Sequence, residues 1–153
     1  MLDSGAIGRP FRARVEYCNG VTPFENQPYL KDIERLILAD MGSHILDVAR
    51  FLFGEARSLY CQTRQVTPGI RGEDVATVIM DMGPGTTVTC ELSYVSKFER
   101  DPYCEILALV EGERGSIELA QDFWLRVTTD KGTFAKRHPP PAYPWVDPFE
   151  GIG

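Results

Sequence analysis

Short runs in which apolar and polar residues alternate recur along most of this sequence. That period-two pattern is what a strand with one buried face requires. In the first run, residues 11–17, Phe11, Ala13, Val15 and Tyr17 share one face while Arg12, Arg14 and Glu16 share the other. The clearest is 86–95, where Val88, Cys90, Leu92 and Tyr94 alternate with Thr87, Thr89, Glu91 and Ser93. Further runs at 58–66, 76–82, 105–111, 115–119, 124–129 and 133–136 are divided by turn signals such as GPG at 83–85, EGERG at 111–115 and DKG at 130–132. Links this short favour antiparallel neighbours.

A single segment carries helical periodicity. It ends at Phe53 and starts between Asp32 and Ala39. Met41, Ile45, Val48 and Leu52 form its apolar stripe, flanked by Leu46, Ala49 and Phe53, and Gly54 stands where a left-handed residue closes the last turn. One early amphipathic helix followed by a succession of strands predicts an α+β fold, a predominantly antiparallel open-faced β-sheet with the helix packed on one face. The uncovered face, with Thr87, Thr89 and Ser93, suits water or a second subunit. The 153 residues suit one domain, 1–153, able to bury a continuous core. The proline-rich end, RHPPPAYPWVDPFEGIG (137–153), carries no secondary-structure signal and is expected to run along the surface.

Charge excludes two classes of partner. Lys and Arg total 16 against 22 Asp and Glu, and the net charge of −6 argues against nucleic acid or an anionic membrane. The most apolar stretch, 33–53, is broken by Glu34, Arg35, Asp40, His44, Asp47 and Arg50, so no membrane span is expected there. The start, MLDSGAIGRP, lacks the basic and apolar regions of a secretory signal, and a cytoplasmic setting is expected. Cys18, Cys61, Cys90 and Cys104 form no CxxC pair and are expected to be reduced core or sheet residues.

Asp40, His44 and Asp47 stand at i, i+4 and i+7, so on a regular helix they share one stripe, roughly 60° wide, bordering the apolar face. A histidine beside two carboxylates can take and give a proton near neutral pH, because a carboxylate steadies the imidazolium and orients the ring. The same residues also allow a plainer reading, in which Asp40 caps the helix, His44 is a partly buried surface residue and Asp47 pairs with Arg50 or solvent. A metal site is not expected, because the one other histidine, His138, lies in the proline-rich end and no ligand cluster accompanies it. No GxGxxG follows a strand, and neither GxxxxGK[ST] nor GxSxG occurs, so no phosphate loop or nucleophile elbow is present. Asn26 and Gln27, just before the helix, offer amide donors and acceptors for a hydroxylated ligand, or serve as turn residues.

The segments GAIGRPFRARVEY (5–17) and LADMGSHILDVARFLFGEA (38–56), followed by GEDVAT (72–77), VEGERGSIEL (110–119) and YPWVDP (143–148), keep a recognisable order. Together they resemble the C-terminal domain of the glucose-fructose oxidoreductase, inositol dehydrogenase and rhizopine-catabolism (Gfo/Idh/MocA) family of NAD(P)-dependent oxidoreductases. The resemblance implies a fold like the C-terminal domains of dihydrodipicolinate reductase and glyceraldehyde-3-phosphate dehydrogenase. It implies a two-domain parent whose N-terminal Rossmann domain, absent from this chain, binds NAD or NADP. This domain would then supply a substrate wall for a sugar, inositol or related polyol, and a homo-oligomer interface through the sheet face. The family's DxxxHxxD falls on Asp40, His44 and Asp47, which implies Asp40 and His44 as the proton-transfer pair and Asp47 at the substrate, to which the amides of Asn26 and Gln27 are added on their chemistry alone. The family's EKP lysine belongs to the Rossmann half, and this chain has no EKP, so by itself it is expected to hold no cofactor and to be inactive. Where members often carry a glycine pair before the DxxxHxxD, this chain has Leu36, Ile37, Leu38 and Ala39. Some members have lost the catalytic set, which leaves a non-catalytic oligomerising or ligand-binding domain as the alternative.

Overall fold

The computed structural model describes residues 2, 4–83 and 85–138. Strand β1 (Pro10–Cys18) is followed by two 3₁₀ turns (Pro23–Glu25 and Pro28–Asp32), a π-helical turn (Leu38–Gly42) and helix α1 (Ser43–Phe53). Then come β2 (Ala56–Arg64), β3 (Val75–Met82), β4 (Thr86–Ser93), β5 (Leu107–Gly112), β6 (Gly115–Ala120), β7 (Trp124–Thr129) and β8 (Gly132–Arg137). Each alternating run in the sequence is thus a strand, and Gly54 closes the helix as expected, with φ +82° and its N–H donated to the Arg50 carbonyl at 2.8 Å. The YPWVDP segment lies outside the described residues.

All eight strands form one sheet in the order β2-β3-β4-β1-β5-β6-β7-β8. Strands joined by short turns pair antiparallel, but β1 and β4 run parallel, with Ala13 opposite Val88 and Tyr17 opposite Leu92. The helical segment carries the chain from β1 to the far edge, and the β2-β3-β4 meander returns it to the side of β1. Residues 94–106 then cross the end of β1 to begin β5 on its other side, antiparallel to it.

Registered neighbours place one continuous apolar face on the helix side. It runs through Met80, Val88, Ala13 and Val110 to Ile117, and through Val78, Cys90 and Val15 to Ala108. Helix α1 lies over β1 and β4, and the residues it buries completely are Ile45 of the anticipated stripe and Ala49 from its flank. Val48 and Leu52 instead border an open apolar groove of about 600 Å³ between α1 and β5–β7, which Leu2 and Val110 also line.

The opposite face is charged as well as hydroxylated. Arg12 bonds Glu111 at 2.5 Å, Arg14 pairs with Glu16, and Arg126 bonds Glu118 at 2.9 Å. These pairs are largely solvated, so each adds little stability and chiefly keeps the face wet. Thr87 is exposed and Thr89 half-buried, whereas Ser93 is buried because the chain folds over it: Asn19 donates its N–H to the Ser93 carbonyl at 2.9 Å.

All four cysteines are free thiols. Burial, with Glu16 and Glu91 nearby, pushes the Cys18 thiol up to about 12, and burial likewise pushes Cys90 up to about 12. Both therefore behave as small apolar residues rather than nucleophiles.

Candidate active site

Asp40 does not sit on regular α-helix. It lies inside the π-helical turn, whose extra residue per turn breaks the even 100° stepping on which the shared stripe depends. The Ser43 hydroxyl supports the turn by bonding back to the carbonyls of Ala39 at 3.4 Å and Asp40 at 3.2 Å. Nor does Asp40 cap a helix. Its Oδ2 instead accepts a 2.5 Å hydrogen bond from the Tyr94 hydroxyl, and α1 starts at Ser43 after an N-cap, Gly42, that has no side chain to cap it.

The segment 72–74 holds this turn against the sheet. Gly72 is buried where a Cβ would stand 2.5 Å from the Ile33 carbonyl oxygen and 2.7 Å from the Leu36 nitrogen, so only glycine permits the approach. Glu73 follows, accepting the Ile37 N–H on its main-chain oxygen at 3.1 Å and the Leu38 N–H on its carboxylate at 3.2 Å. These two bonds satisfy donors at the start of the helical segment, as a side-chain cap would. Asp74 is fully buried. Its carboxylate accepts the N–H groups of Val66 at 2.7 Å and Thr67 at 2.8 Å, and its carbonyl accepts the N–H of Tyr94 at 3.0 Å. Three consecutive residues therefore fix both ends of the Tyr94–Asp40 bond.

Around that bond opens a cavity of about 200 Å³. His44 and Asp40 line it, as do Asn26 and Gln27, so the structure brings four of the five sequence-derived candidates together. The fifth, Asp47, is not among the lining residues. It is exposed, with the nearest Arg50 nitrogen at 3.9 Å, because the helix has turned that position toward solvent. Gln27 accepts a bond from the Tyr29 hydroxyl at 2.6 Å. His44 is exposed at the open side, in the first turn of α1, with its ring accessible to a ligand.

The pattern gave no reason to single out the tyrosines. Tyr17 from the end of β1, Tyr94 just beyond β4 and Tyr103 from the β4–β5 connection all line the cavity, with Val21 and Met41 as apolar lining. Tyr17 and Tyr94 meet edge to face, ring centres 6.3 Å apart at 88°. Burial, with Tyr103 and Cys104 nearby, pushes the Tyr17 phenol up to about 12, and burial followed by the Asp40 carboxylate pushes Tyr94 higher still. Both are therefore protonated donors at any physiological pH. Asp101 ties the Tyr103 loop down, accepting the N–H of Gly20 at 2.6 Å on one oxygen and that of Tyr103 at 2.9 Å on the other. The one detectable sequence signal was position: two tyrosines ending two strands that become neighbours.

The arrangement is a small pocket with hydroxyl and amide groups, one carboxylate fixed by a phenol, and one accessible imidazole. It suits a neutral ligand rich in hydroxyls and can move a proton to or from it. Among the described residues no three His, Cys, Asp or Glu side chains gather to hold a metal ion.

Comparisons with known proteins agree with this architecture. A family model described as the GFO/IDH/MocA C-terminal domain matches residues 1–118. A D-apiose dehydrogenase of Rhizobium rhizogenes is 40% identical over 153 residues, covering 99% of this chain and 44% of its own length. A second D-apiose dehydrogenase, from Paraburkholderia graminis, is 40% identical over 152 residues, covering 99% and 40%. The crystal structure of an oxidoreductase from Agrobacterium radiobacter, in complex with NAD+, L-tartaric acid and magnesium, superposes with a TM-score of 0.89 at 40% identity. That match covers 94% of this chain and 42% of the other, so the chain spans well under half the length of the relatives it matches.

Proposed function

Because the chain belongs to the GFO/IDH/MocA C-terminal domain family, we propose that it is the substrate-binding and oligomerisation domain of an NAD(P)-dependent dehydrogenase acting on a sugar or related polyol. Asp40 and His44 are then the proton-transfer pair, and Asn26 and Gln27 hold substrate hydroxyls. The observation that carries the reading is the convergence on one cavity of His44, the phenol-bonded carboxylate of Asp40 and the two amides. The D-apiose dehydrogenases at 40% identity support a sugar substrate, with D-apiose the first to test.

Oxidising a secondary or primary alcohol removes a proton from oxygen and a hydride from carbon. The nicotinamide ring, when bound, accepts the hydride. This cavity, of about 200 Å³ and with no cationic side chain in its lining, does not fit a dinucleotide. What these residues do concerns the proton. Neutral His44 takes it from the reacting hydroxyl and, in the reverse direction, imidazolium returns it to the carbonyl oxygen. Asp40 favours the imidazolium that forms. Asp47 lies off the cavity, its nearest charged neighbour being Arg50 at 3.9 Å, and is given no part in this step.

The test is turnover of the complete enzyme on D-apiose and a panel of pentoses, hexoses and inositols with NAD and with NADP. Absence of any nicotinamide reduction across the panel would defeat the reading. The domain alone is expected to show no measurable heat on titration with NAD(H) or NADP(H). Micromolar binding by residues 1–153 would mean that the cofactor site has been misplaced. The charged outer sheet face, with Arg12, Arg14, Glu111 and Glu118, is the surface assigned to self-association. Light scattering is expected to give a mass above the monomer's, and Arg12→Glu together with Arg14→Glu to lower it; a concentrated monomer would remove this role.

A further inference from the structure

We propose that Tyr94 is a positioning residue for proton transfer, acting through Asp40 and not by touching the substrate's reacting atoms. The inference rests on the proton-transfer reading of Asp40 and His44. Among the described residues no hydrogen bond to the Asp40 side chain occurs other than the 2.5 Å bond from Tyr94, and the π-helical turn that carries it supplies none. Oxygen Oδ2 is thereby committed to the phenol, which leaves Oδ1 as the atom able to face the cavity. Without the phenol, χ2 of the aspartate is a broad two-fold torsion, and either oxygen could take any direction.

Tyr94 itself cannot move to follow the aspartate. It is 3% exposed, its ring is set edge to face against Tyr17, and its N–H is fixed by the carbonyl of the fully buried Asp74. Two β-strands therefore set the direction of a carboxylate that the helical segment leaves free. The Tyr94 hydroxyl faces the carboxylate of Asp40 and the phenols of Tyr17 and Tyr103, and among the described residues no cation acts on it, so it remains a donor. Tyr94 supplies geometry, and the proton is exchanged by His44.

The experiment is a double-mutant cycle of Tyr94→Phe and Asp40→Asn in the complete enzyme, with kcat, KM and melting temperature measured for each variant. Tyr94→Phe removes one oxygen and keeps the packed ring, so the melting temperature should change little. The expected result is a fall in kcat of roughly 10-fold to 100-fold with KM within about threefold, since misplacing a reacting group acts on the transition state. In the Asp40→Asn background the same change should lower kcat by less than about threefold, because the group it positions has gone. Equal losses in both backgrounds, or unimpaired kcat in Tyr94→Phe beside an impaired Asp40→Asn, would overturn the inference alone. Full turnover in Asp40→Asn would overturn the proton-transfer reading and this inference with it.

Discussion

Replacing His44 by alanine in the complete enzyme is expected to lower turnover by roughly 10² to 10⁴, the usual contribution of a positioned acid or base. Stability should move by no more than about 0.5 kcal/mol, because the side chain is exposed and among the described residues no hydrogen bond to it is seen. The two quantities separate the readings. A histidine that merely decorates the first turn of α1 would leave both unchanged, while one that supports the fold would lower the melting temperature along with activity. Asp40→Asn keeps the shape but removes the charge that favours imidazolium, and its amide can still accept from Tyr94. Its loss should therefore be smaller than that of His44→Ala and fall on kcat more than on KM. Near-normal turnover in His44→Ala would defeat the assignment.

Asp74→Ala should carry the largest stability cost of any single change near the site. The carboxylate is fully buried and accepts two main-chain N–H groups at 2.7 and 2.8 Å, both at least partly reachable by solvent once freed. Losing those bonds and opening a small void should cost about 2–4 kcal/mol. For a domain of this size that corresponds to a fall in melting temperature of roughly 5–15 °C. Denaturant unfolding checks it: the midpoint should drop with the slope unchanged. A loss under about 0.5 kcal/mol would mean that water replaces the carboxylate without penalty. Asp74→Asn should fall between, since one amide oxygen can take only part of the load.

The strands were legible because each is set by its own alternation: Ala13, Val15 and Tyr17 against Arg12, Arg14 and Glu16 needs no knowledge of the neighbouring strand. The end of the helix was legible for the same reason, since Gly54 acts on a carbonyl four residues away. What was hidden depends on residues far apart in the chain. Nothing within 11–17 or 86–95 says that these runs lie side by side and parallel, and so nothing says that Tyr17 and Tyr94 meet. The π-helical turn was hidden too. The apolar spacing across 38–46 suits a regular helix, and the departure is enforced from outside by Glu73 and Gly72. Spacing alone places Asp40, His44 and Asp47 on one stripe, yet only the first two line the cavity and Asp47 is exposed, since the turn that carries Asp40 and the helix that carries Asp47 do not share one period.

The central place of β1 also bears on how the chain reaches its native state. On either side of it the sheet is made of strands adjacent in sequence, β2 to β4 and β5 to β8, all closed by links of two or three residues except β2–β3, whose link is residues 65–74, and such pieces form quickly. Strand β1 is different. Its contacts join residues 76 apart, as in Thr86 with Pro10, and 99 apart, as in Arg12 with Glu111. The loops those contacts close carry an entropy cost that no short turn offsets, which places the seam late in folding and makes it the slow step. Of these eight strands β1 is made before the others, and it finds its last partner only after β5 has been made. Through that interval Ala13 and Val15 lack at least one sheet neighbour, so the strand that unites the finished domain is also the one most exposed to wrong pairing before the domain exists.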